Sequence, residues 1–362
     1  MIMTGLRGVG KTVLLNRFAE LAELAGWESI ELEASKHDET AFRQSIFSKF
    51  RAALLHISPR RRWSKRARHA AEVLSSFVLS IDQSGTFSVT WDVDPSEGYG
   101  DHGDLGLDLT DVFLAVGEVA KEKGTGIVLL IDEVQFLTTV QLESLIQAVH
   151  KSVQKKLPIT FVGAGLPQIA ELAGDAKSYA ERLFKFPRID SLTPEEARQA
   201  LVGPAETENV SYDEDAVDLA VSLTHGYPYF IQELGYQAWI VASGNHITAE
   251  DISTAKEAYE AKLDGSFFRV RLDRATPLQT AYMRAMAELG SEPQKAADVA
   301  SLMKRESSQV APIRSQLIDM GLLYTPQHGY AAFTVPDFDK FMMRAVPRLE
   351  VPEIQHRRRR GK

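Results

Sequence analysis

The 362-residue chain contains no cysteine, which excludes disulfide frameworks, thiolate zinc sites, iron–sulfur clusters and thiol catalysis. Long apolar runs are missing too: the strongest, Ile127–Ile131, falls far short of the about 20 residues that a bilayer span takes. No secretory signal opens the sequence, so a cytoplasmic protein is the simplest expectation. Cations are in deficit, 41 Lys plus Arg against 49 Asp plus Glu, for a formal net charge of −8. That balance argues against a protein that coats nucleic acid over its whole surface and leaves room for a local basic patch. What is present, 44% apolar and 25% charged residues, is the composition of an ordinary folded chain. The length predicts roughly two or three domains with ample material for a core.

The strongest pattern comes first. Gly5-Leu6-Arg7-Gly8-Val9-Gly10-Lys11-Thr12 fits G-x-x-x-x-G-K-[ST] and runs into the helical spacing Val13, Leu14, Leu15, Phe18, Leu21, Leu24. This is a P-loop. Its glycines let successive backbone N–H groups face phosphates, Lys11 neutralises β/γ oxygens, and Thr12 offers a hydroxyl to Mg²⁺. Met1–Thr4 must supply the whole preceding strand, about two residues short of the usual five or six. The expectation is therefore a domain that begins upstream of Met1 or a truncated first strand.

Trp27 to Ala34 alternates as a strand, and Glu39 to Ile57 reads as an amphipathic helix. Charge then separates. Residues 51–68 carry seven cations (Arg51, Arg60, Arg61, Arg62, Lys65, Arg66, Arg68) and no acid. Residues 82–111 carry eight acids (Asp82, Asp92, Asp94, Glu97, Asp101, Asp104, Asp108, Asp111) and no Lys or Arg. Between the blocks, Phe77–Ile81 and Thr86–Trp91 flank a turn and predict a β-hairpin. The basic block reads either as a phosphate-backbone or partner contact, or as a solvated helix face answered by the acidic block.

Asp111–Lys121 is helical, and Gly124-Thr125-Gly126 turns into Ile127-Val128-Leu129-Leu130-Ile131-Asp132-Glu133. A buried parallel strand that ends in two carboxylates delivers them to the edge where α/β sheets bind ligands. Asp132 suits a magnesium shell and Glu133 suits polarisation of an attacking water. A helix over Leu142–Lys155, a strand over Pro158–Val162 and a helix over Ser178–Phe186 complete a parallel sheet with helices on both faces. Thr193-Pro194-Glu195-Glu196 starts a new helix. From there to about residue 264 the pattern is all helical, with Asp213–Leu223, Pro228–Ala242 and Ala249–Leu263.

Pro277–Leu289, Ala296–Met303 and Ser307–Met320 are then helices. Leu322–Thr325 and Tyr330–Val335 flank Gln327-His328-Gly329, the order of a winged helix whose third helix can enter a major groove. That helix offers Ser307, Ser308, Gln309, Arg314 and Gln316 as base or phosphate donors to double-stranded DNA. Between Ala275 and Ala345 there are seven basic and seven acidic residues, so a protein-contact role for this element stays equally open. The tail, His356 with Arg357–Arg360, could add sequence-independent phosphate affinity, and an expression-vector scar is the alternative. His37, His56, His69 and His102 are scattered and read as surface residues rather than ligands.

With GLRGVGKT, IVLLIDEVQFL, FVGAGLP, ERLF and HGYPYFIQ in this order before a winged helix, the chain resembles a bacterial AAA+-type ATPase over essentially its full length. Within that superfamily it is similar to the origin-recognition-initiator-like proteins and to the STAND ATPases. The resemblance implies a fold of α/β class: a P-loop NTPase core over 1–190 with a charged hairpin insert at about 58–110, a helical lid over 191–270, a winged helix over 271–346 and a basic tail over 347–362. It implies ATP and Mg²⁺ as ligands, with Gly5, Leu6, Arg7, Gly8, Val9, Gly10, Lys11 and Thr12 around the phosphates, Thr12 and Asp132 toward the metal, and Glu133 and Lys11 as catalytic groups. Arg182 falls where such proteins often place an arginine finger for the neighbouring subunit, which would imply a homo-oligomer, and the alternative reading is a surface helix cation. Tyr227 and Pro228, in Gly226-Tyr227-Pro228, fall at the Gly-x-Pro turn of the lid. The chain departs from the family at Gly163-Ala164-Gly165, where a polar residue senses the γ-phosphate, and at Tyr229, where an arginine follows the Gly-x-Pro turn. The segment that covers adenine is also missing, so base recognition is expected to be incomplete. Fast turnover is not expected with both charge-stabilising groups displaced. The implied function is an ATP-binding switch with slow hydrolysis that controls DNA or protein contact. The alternatives are a DNA-binding regulatory or scaffold module whose nucleotide domain does not cycle, and a purely protein-directed sensor.

Overall fold

The structure, a computed structural model, describes residues 1–34, 39–79, 93–177 and 180–352. It divides into two compact units, the first Met1–Gly5 with Gly10–Ile189 and the second Leu6–Val9 with Asp190–Lys362. No helix among the described residues is long and apolar enough to cross a membrane.

The first unit is built on β1 (Ile2–Thr4), α1 (Lys11–Leu24), β2 (Glu28–Glu33), α2 (Glu39–Ile57), α3 (Lys65–Leu79), α4 (Leu105–Lys123), β3 (Ile127–Asp132), α5 (Thr139–Gln154), β4 (Ile159–Gly165), α6 (Ile169–Ala176) and α7 (Ala180–Leu183). Its four strands pair in parallel in the order β1-β4-β3-β2, flanked by helices as the sequence predicts. The unbroken apolar run of β3 follows from burial on both faces. Ile127, Leu129 and Ile131 point into the larger core with residues of α2 to α5, whereas Val128 and Leu130 join Leu15 and Ala19 of α1 on the other face.

Two expectations are corrected here. Phe77 to Leu79 are not in a hairpin strand but belong to α3, whose Ala67, Ala70, Ala71 and Leu74 at helical spacing are fully buried and set the period for the aromatic and branched residues that follow, and Ser80 and Ile81 lie outside the described residues. The rest of the expected hairpin, with Asp82, Thr86–Trp91 and Asp92, lies outside the described residues, as do His37, Ser178 and the tail with His356 and Arg357–Arg360. Among the described residues, three acids of the second charge block have their partners outside the basic block. Asp104 caps α4 by accepting from the Leu107 N–H at 2.9 Å, which also starts that helix well before Asp111. Buried Asp108 pairs with buried Arg43 of α2 at 2.8 Å and accepts from the His102 N–H at 2.7 Å. Asp111 accepts from the Gly100 N–H at 3.0 Å and faces His102 Nε2 at 2.9 Å.

The Asp111 carboxylate raises the His102 imidazole above its ordinary 6.5. Because the folded value is the higher one, the contribution of this contact is full below pH 6.5 and fades as the pH rises through the folded value. An NMR titration is expected to place His102 above its ordinary value in the wild type and back near it in Asp111→Asn; equal values in the two proteins would refute the pairing.

The second unit continues with α8 (Pro194–Thr207), β5 (Ser211–Tyr212), α9 (Glu214–Thr224), α10 (Pro228–Val241), β6 (His246–Ile247), α11 (Ala249–Lys262), α12 (Arg269–Leu272), α13 (Pro277–Leu289), β7 (Gln294–Lys295), α14 (Ala296–Leu302), α15 (Ser307–Asp319), β8 (Leu323–Tyr324), β9 (Tyr330–Phe333) and α16 (Phe338–Ala345). Helix α8 starts after Thr193 as the sequence predicts, and Thr193 and Glu196 form a reciprocal capping pair there. The stretch to residue 264 is not all helical, because β5 and β6 pair in parallel. Beyond α11 a π-helical turn, Leu263–Phe268, presents Phe267 and Phe268 to an aromatic cluster with Phe230, Phe338 and Phe341. The C-terminal strands form a three-stranded sheet in the order β7-β9-β8, with antiparallel pairs.

Candidate functional site

The loop after β1 is tied down at its start, where the Gly5 N–H donates to the Gly165 carbonyl at 3.1 Å. Gly8 and Gly10 take positive φ, 88° and 93°, in the left-handed region that glycine enters without steric cost. Helix α1 then begins at Lys11 with no side-chain cap and no acid in its first turn. Its first N–H groups and the positive end of its dipole are therefore left for an anion. Lys11, 9% exposed, donates from Nζ to the Gly5 carbonyl at 3.0 Å, which holds the ammonium at the loop.

The two carboxylates at the end of β3 have different environments. Asp132 accepts from Thr12 Oγ1 at 2.5 Å through Oδ2 and from the Glu133 N–H at 2.8 Å through Oδ1. The structure thus joins the loop threonine to the strand aspartate, 120 residues apart in sequence. Glu133 sits at φ 53°, a left-handed conformation that costs a non-glycine residue about 1–2 kcal/mol. Its carboxylate accepts from Gln135 Nε2, and Gln135 Oε1 in turn accepts from the Leu166 N–H at 3.0 Å.

Gln135 is a residue the sequence reading missed. It lies on the short 3₁₀ turn Val134–Phe136 and reaches over the end of β4. A Cβ on Gly165 would stand 2.8 Å from Gln135 Oε1, so a side chain there would displace the glutamine amide from its present place. The polar group at this strand end is supplied by β3's own turn. The only signal in the sequence was a glutamine two positions after Glu133, which has no meaning until the turn geometry is known.

The donor set fits magnesium. Thr12 and Asp132 bring together two hard oxygens, and Mg²⁺ keeps several waters and takes other ligands from substrate phosphates rather than from an all-protein cage. Among the described residues no group of three or more His, Asp or Glu forms such a cage.

The other expected site residues fall elsewhere. Arg182 is exposed on α7 and makes no hydrogen bond or ion pair with any described residue. Tyr227 and Pro228 start α10, and Gly226 before them is at φ 69° with room for no side chain: a Cβ would stand 2.3 Å from the Leu192 carbonyl oxygen. Within the second unit, the buried Tyr227 hydroxyl donates to the Arg7 carbonyl and the Tyr229 N–H donates to the Gly8 carbonyl at 3.2 Å. Burial pushes the Tyr227 phenol above its ordinary value, so it stays a donor at neutral pH. Tyr229 stacks on Phe267 at 4.3 Å.

On α15, Ser307 and Ser308 are exposed, but two of the expected readers are engaged. Gln309 accepts from the Glu306 N–H at 3.0 Å as part of the helix cap, and Gln316 accepts from Gln279 at 2.9 Å. Arg314 is half-buried. His56, His69 and His102 each pair with a carboxylate, Glu28, Glu72 and Asp111 respectively.

Comparison with known proteins places two parts of the chain. Residues 1–171 match the family described as an AAA domain, and residues 265–342 match the family described as Domain of unknown function (DUF8462). No curated protein matches the chain. Similar solved structures include Cdc6p of Pyrobaculum aerophilum, at 15% identity and TM-score 0.42 over 96% of this chain and 88% of that one. Another is the Orc1 protein of Aeropyrum pernix in complex with DNA, at 14% identity and TM-score 0.41 over 95% and 86%. A RuvB mutant of Thermotoga maritima matches at 13% identity and TM-score 0.43 over 97% and 88%.

Proposed function

We propose that the AAA domain binds ATP with Mg²⁺ at Gly5–Thr12, hydrolyses it slowly, and thereby controls a winged helix over 271–346 that contacts DNA or a protein partner. The observation that carries the reading is the Thr12 to Asp132 hydrogen bond at 2.5 Å beside an α1 N-terminus free of acids. In this role the backbone N–H groups of Leu6 to Gly10 cradle phosphate oxygens, and Lys11 turns its ammonium from the Gly5 carbonyl to the β/γ oxygens. Thr12 and Asp132 hold the magnesium ion, which when bound would neutralise charge developing on the transferred phosphoryl group. Glu133 takes a proton from the attacking water. Arg182, free of partners among the described residues, serves a neighbouring copy, and Tyr227 with Pro228 borders the nucleotide.

Slow turnover is supported by the end of β4, where Gly163, Ala164 and Gly165 put no charged or polar side chain of their own beside the phosphates. The protein-partner form of the reading has specific support in the net charge of zero over Ala275–Ala345 and in the engagement of Gln309 and Gln316. Equilibrium ATP binding to wild type and Lys11→Ala tests the proposal. A charge-assisted contact contributes about 1.5–3 kcal/mol, so the dissociation constant is expected to rise about 10–100-fold. Equal binding by the two proteins would overturn it.

A further inference from the structure

Helix α2 ends at Ile57 and the chain turns through Pro59, a 3₁₀ turn at Arg60–Arg62, Trp63 and Ser64 into α3. The turn is fixed from inside: Trp63 donates its indole N–H to the Ser58 carbonyl at 2.8 Å, and Ser64 Oγ accepts from the Ala67 N–H at 3.2 Å. Outward it presents Arg60, Arg61, Arg62, Lys65, Arg66 and Arg68, all exposed. The first turn of α3 thus holds Lys65, Arg66 and Arg68 and no acid. Cations there oppose the positive end of the helix dipole, so folding alone does not favour them.

Arg66 is answered by Glu122 at 3.2 Å and Glu118 at 3.9 Å. Arg61, Arg62, Lys65 and Arg68 make no ion pair with any described residue. Four of the six acids of 94–111 are engaged elsewhere: Asp101 on the Gly98 N–H, Asp104 on the α4 cap, Asp108 on Arg43 and Asp111 on His102.

We propose that this face binds the phosphodiester backbone of nucleic acid independently of sequence. Four unanswered cations along one turn and one helix start outnumber what a single small anion satisfies, and guanidinium forks match phosphate oxygens. Base readout is not built in, because Trp63 is half-buried with its N–H committed and offers no free stacking platform. The face needs neither Lys11 nor α15 and stands apart from the ATP reading.

The test is binding of the full chain, without nucleotide, to a mixed-sequence duplex and to a single strand of equal length, between about 50 and 200 mM salt. The variant carries Arg61→Gln, Arg62→Gln, Lys65→Gln and Arg68→Gln. A control removes equal charge from other exposed positions through Lys151→Gln, Lys155→Gln, Lys185→Gln and Lys262→Gln. With about 0.9 released counterions per phosphate contact on a duplex, the four substitutions are expected to reduce the steepness of log affinity against log salt by about 3.6. Its affinity at low salt is expected to fall at least about ten-fold, with little change in the control. Its melting temperature should hold or rise, since α3 loses opposing charge. Equal weakening by face variant and control would overturn the proposal. So would failure of the wild type to bind either nucleic acid, which would point to an acidic protein, or loss on Arg314→Ala with the face variant unaffected, which would assign binding to α15.

Discussion

Glu133→Gln is expected to lower ATP turnover about 10²–10⁴-fold while ATP affinity stays within about two-fold, the range for losing a positioned general base without losing binding contacts. The substitution is close to isosteric and its side chain keeps an oxygen able to accept from Gln135 Nε2, the bond Glu133 makes now. The left-handed backbone at φ 53° is no more costly for glutamine than for glutamate, and the Asp132 Oδ1 bond to the backbone N–H at 2.8 Å does not depend on the side chain. What goes is the carboxylate that takes the proton. Gln135→Ala separates positioning from chemistry: it leaves the carboxylate in place but frees it from the end of β4. Turnover is then expected to fall about ten-fold at constant affinity, with partial recovery in Gln135→Asn. Single-turnover hydrolysis and equilibrium binding on the three variants check this. Unchanged turnover in Glu133→Gln would remove Glu133 from the mechanism, whereas ATP binding without turnover in the wild type would favour a nucleotide domain that does not cycle.

How the sequence announces some of these residues and hides others has a physical reason. The P-loop is local: eight consecutive positions specify a turn, a helix start, a cation and a hydroxyl, and each residue type has one task there. The strand Ile127–Asp132 is equally legible, because a run buried on both faces cannot alternate. The start of α8 is read from Thr193, Pro194 and the acids after them. Gln135 is different, since its two hydrogen bonds run to Glu133 and to Leu166, and only the 3₁₀ turn brings these within reach of one amide. The end of α3 was misread because Phe77, Val78 and Leu79 satisfy a strand pattern as well as a helix one. The deciding information lay in the buried alanines before them. Strands β5 and β6, two residues each, are too short for any period to register. Among the described acids of the acidic block only Asp108 is buried, and the sequence does not single it out, because its partner Arg43 is 65 residues away on another helix.

The burial of Asp108 gives the second large effect. Asp108→Ala is expected to destabilise the first unit by about 3–5 kcal/mol, the range for leaving one member of a buried ion pair without its partner. Arg43 is 2% exposed and Asp108 is fully buried, with 2.8 Å between them. The guanidinium also contacts Glu39 at 2.9 Å and stands over the Phe77 ring at 4.8 Å, so it is held in place from α2 and α3 whatever happens at Asp108. It cannot swing to water without breaking those contacts, and Glu39, with its side chain about half exposed, compensates only in part. Asp108→Ala also leaves the His102 N–H without its acceptor and releases the loop that the pair pins to α4. The double variant Arg43→Met with Asp108→Leu should recover most of the loss, because replacing both charges by apolar groups of similar volume removes the desolvation cost along with the attraction. Denaturant unfolding of Arg43→Met, Asp108→Leu and the double variant closes the cycle, with Asp108→Ala measured beside them. If Asp108→Ala costs under about 1 kcal/mol, the pair is solvated in solution like an ordinary surface bridge. A double variant no better than the single would instead show that the cost lies in the His102 loop rather than in the stranded charge.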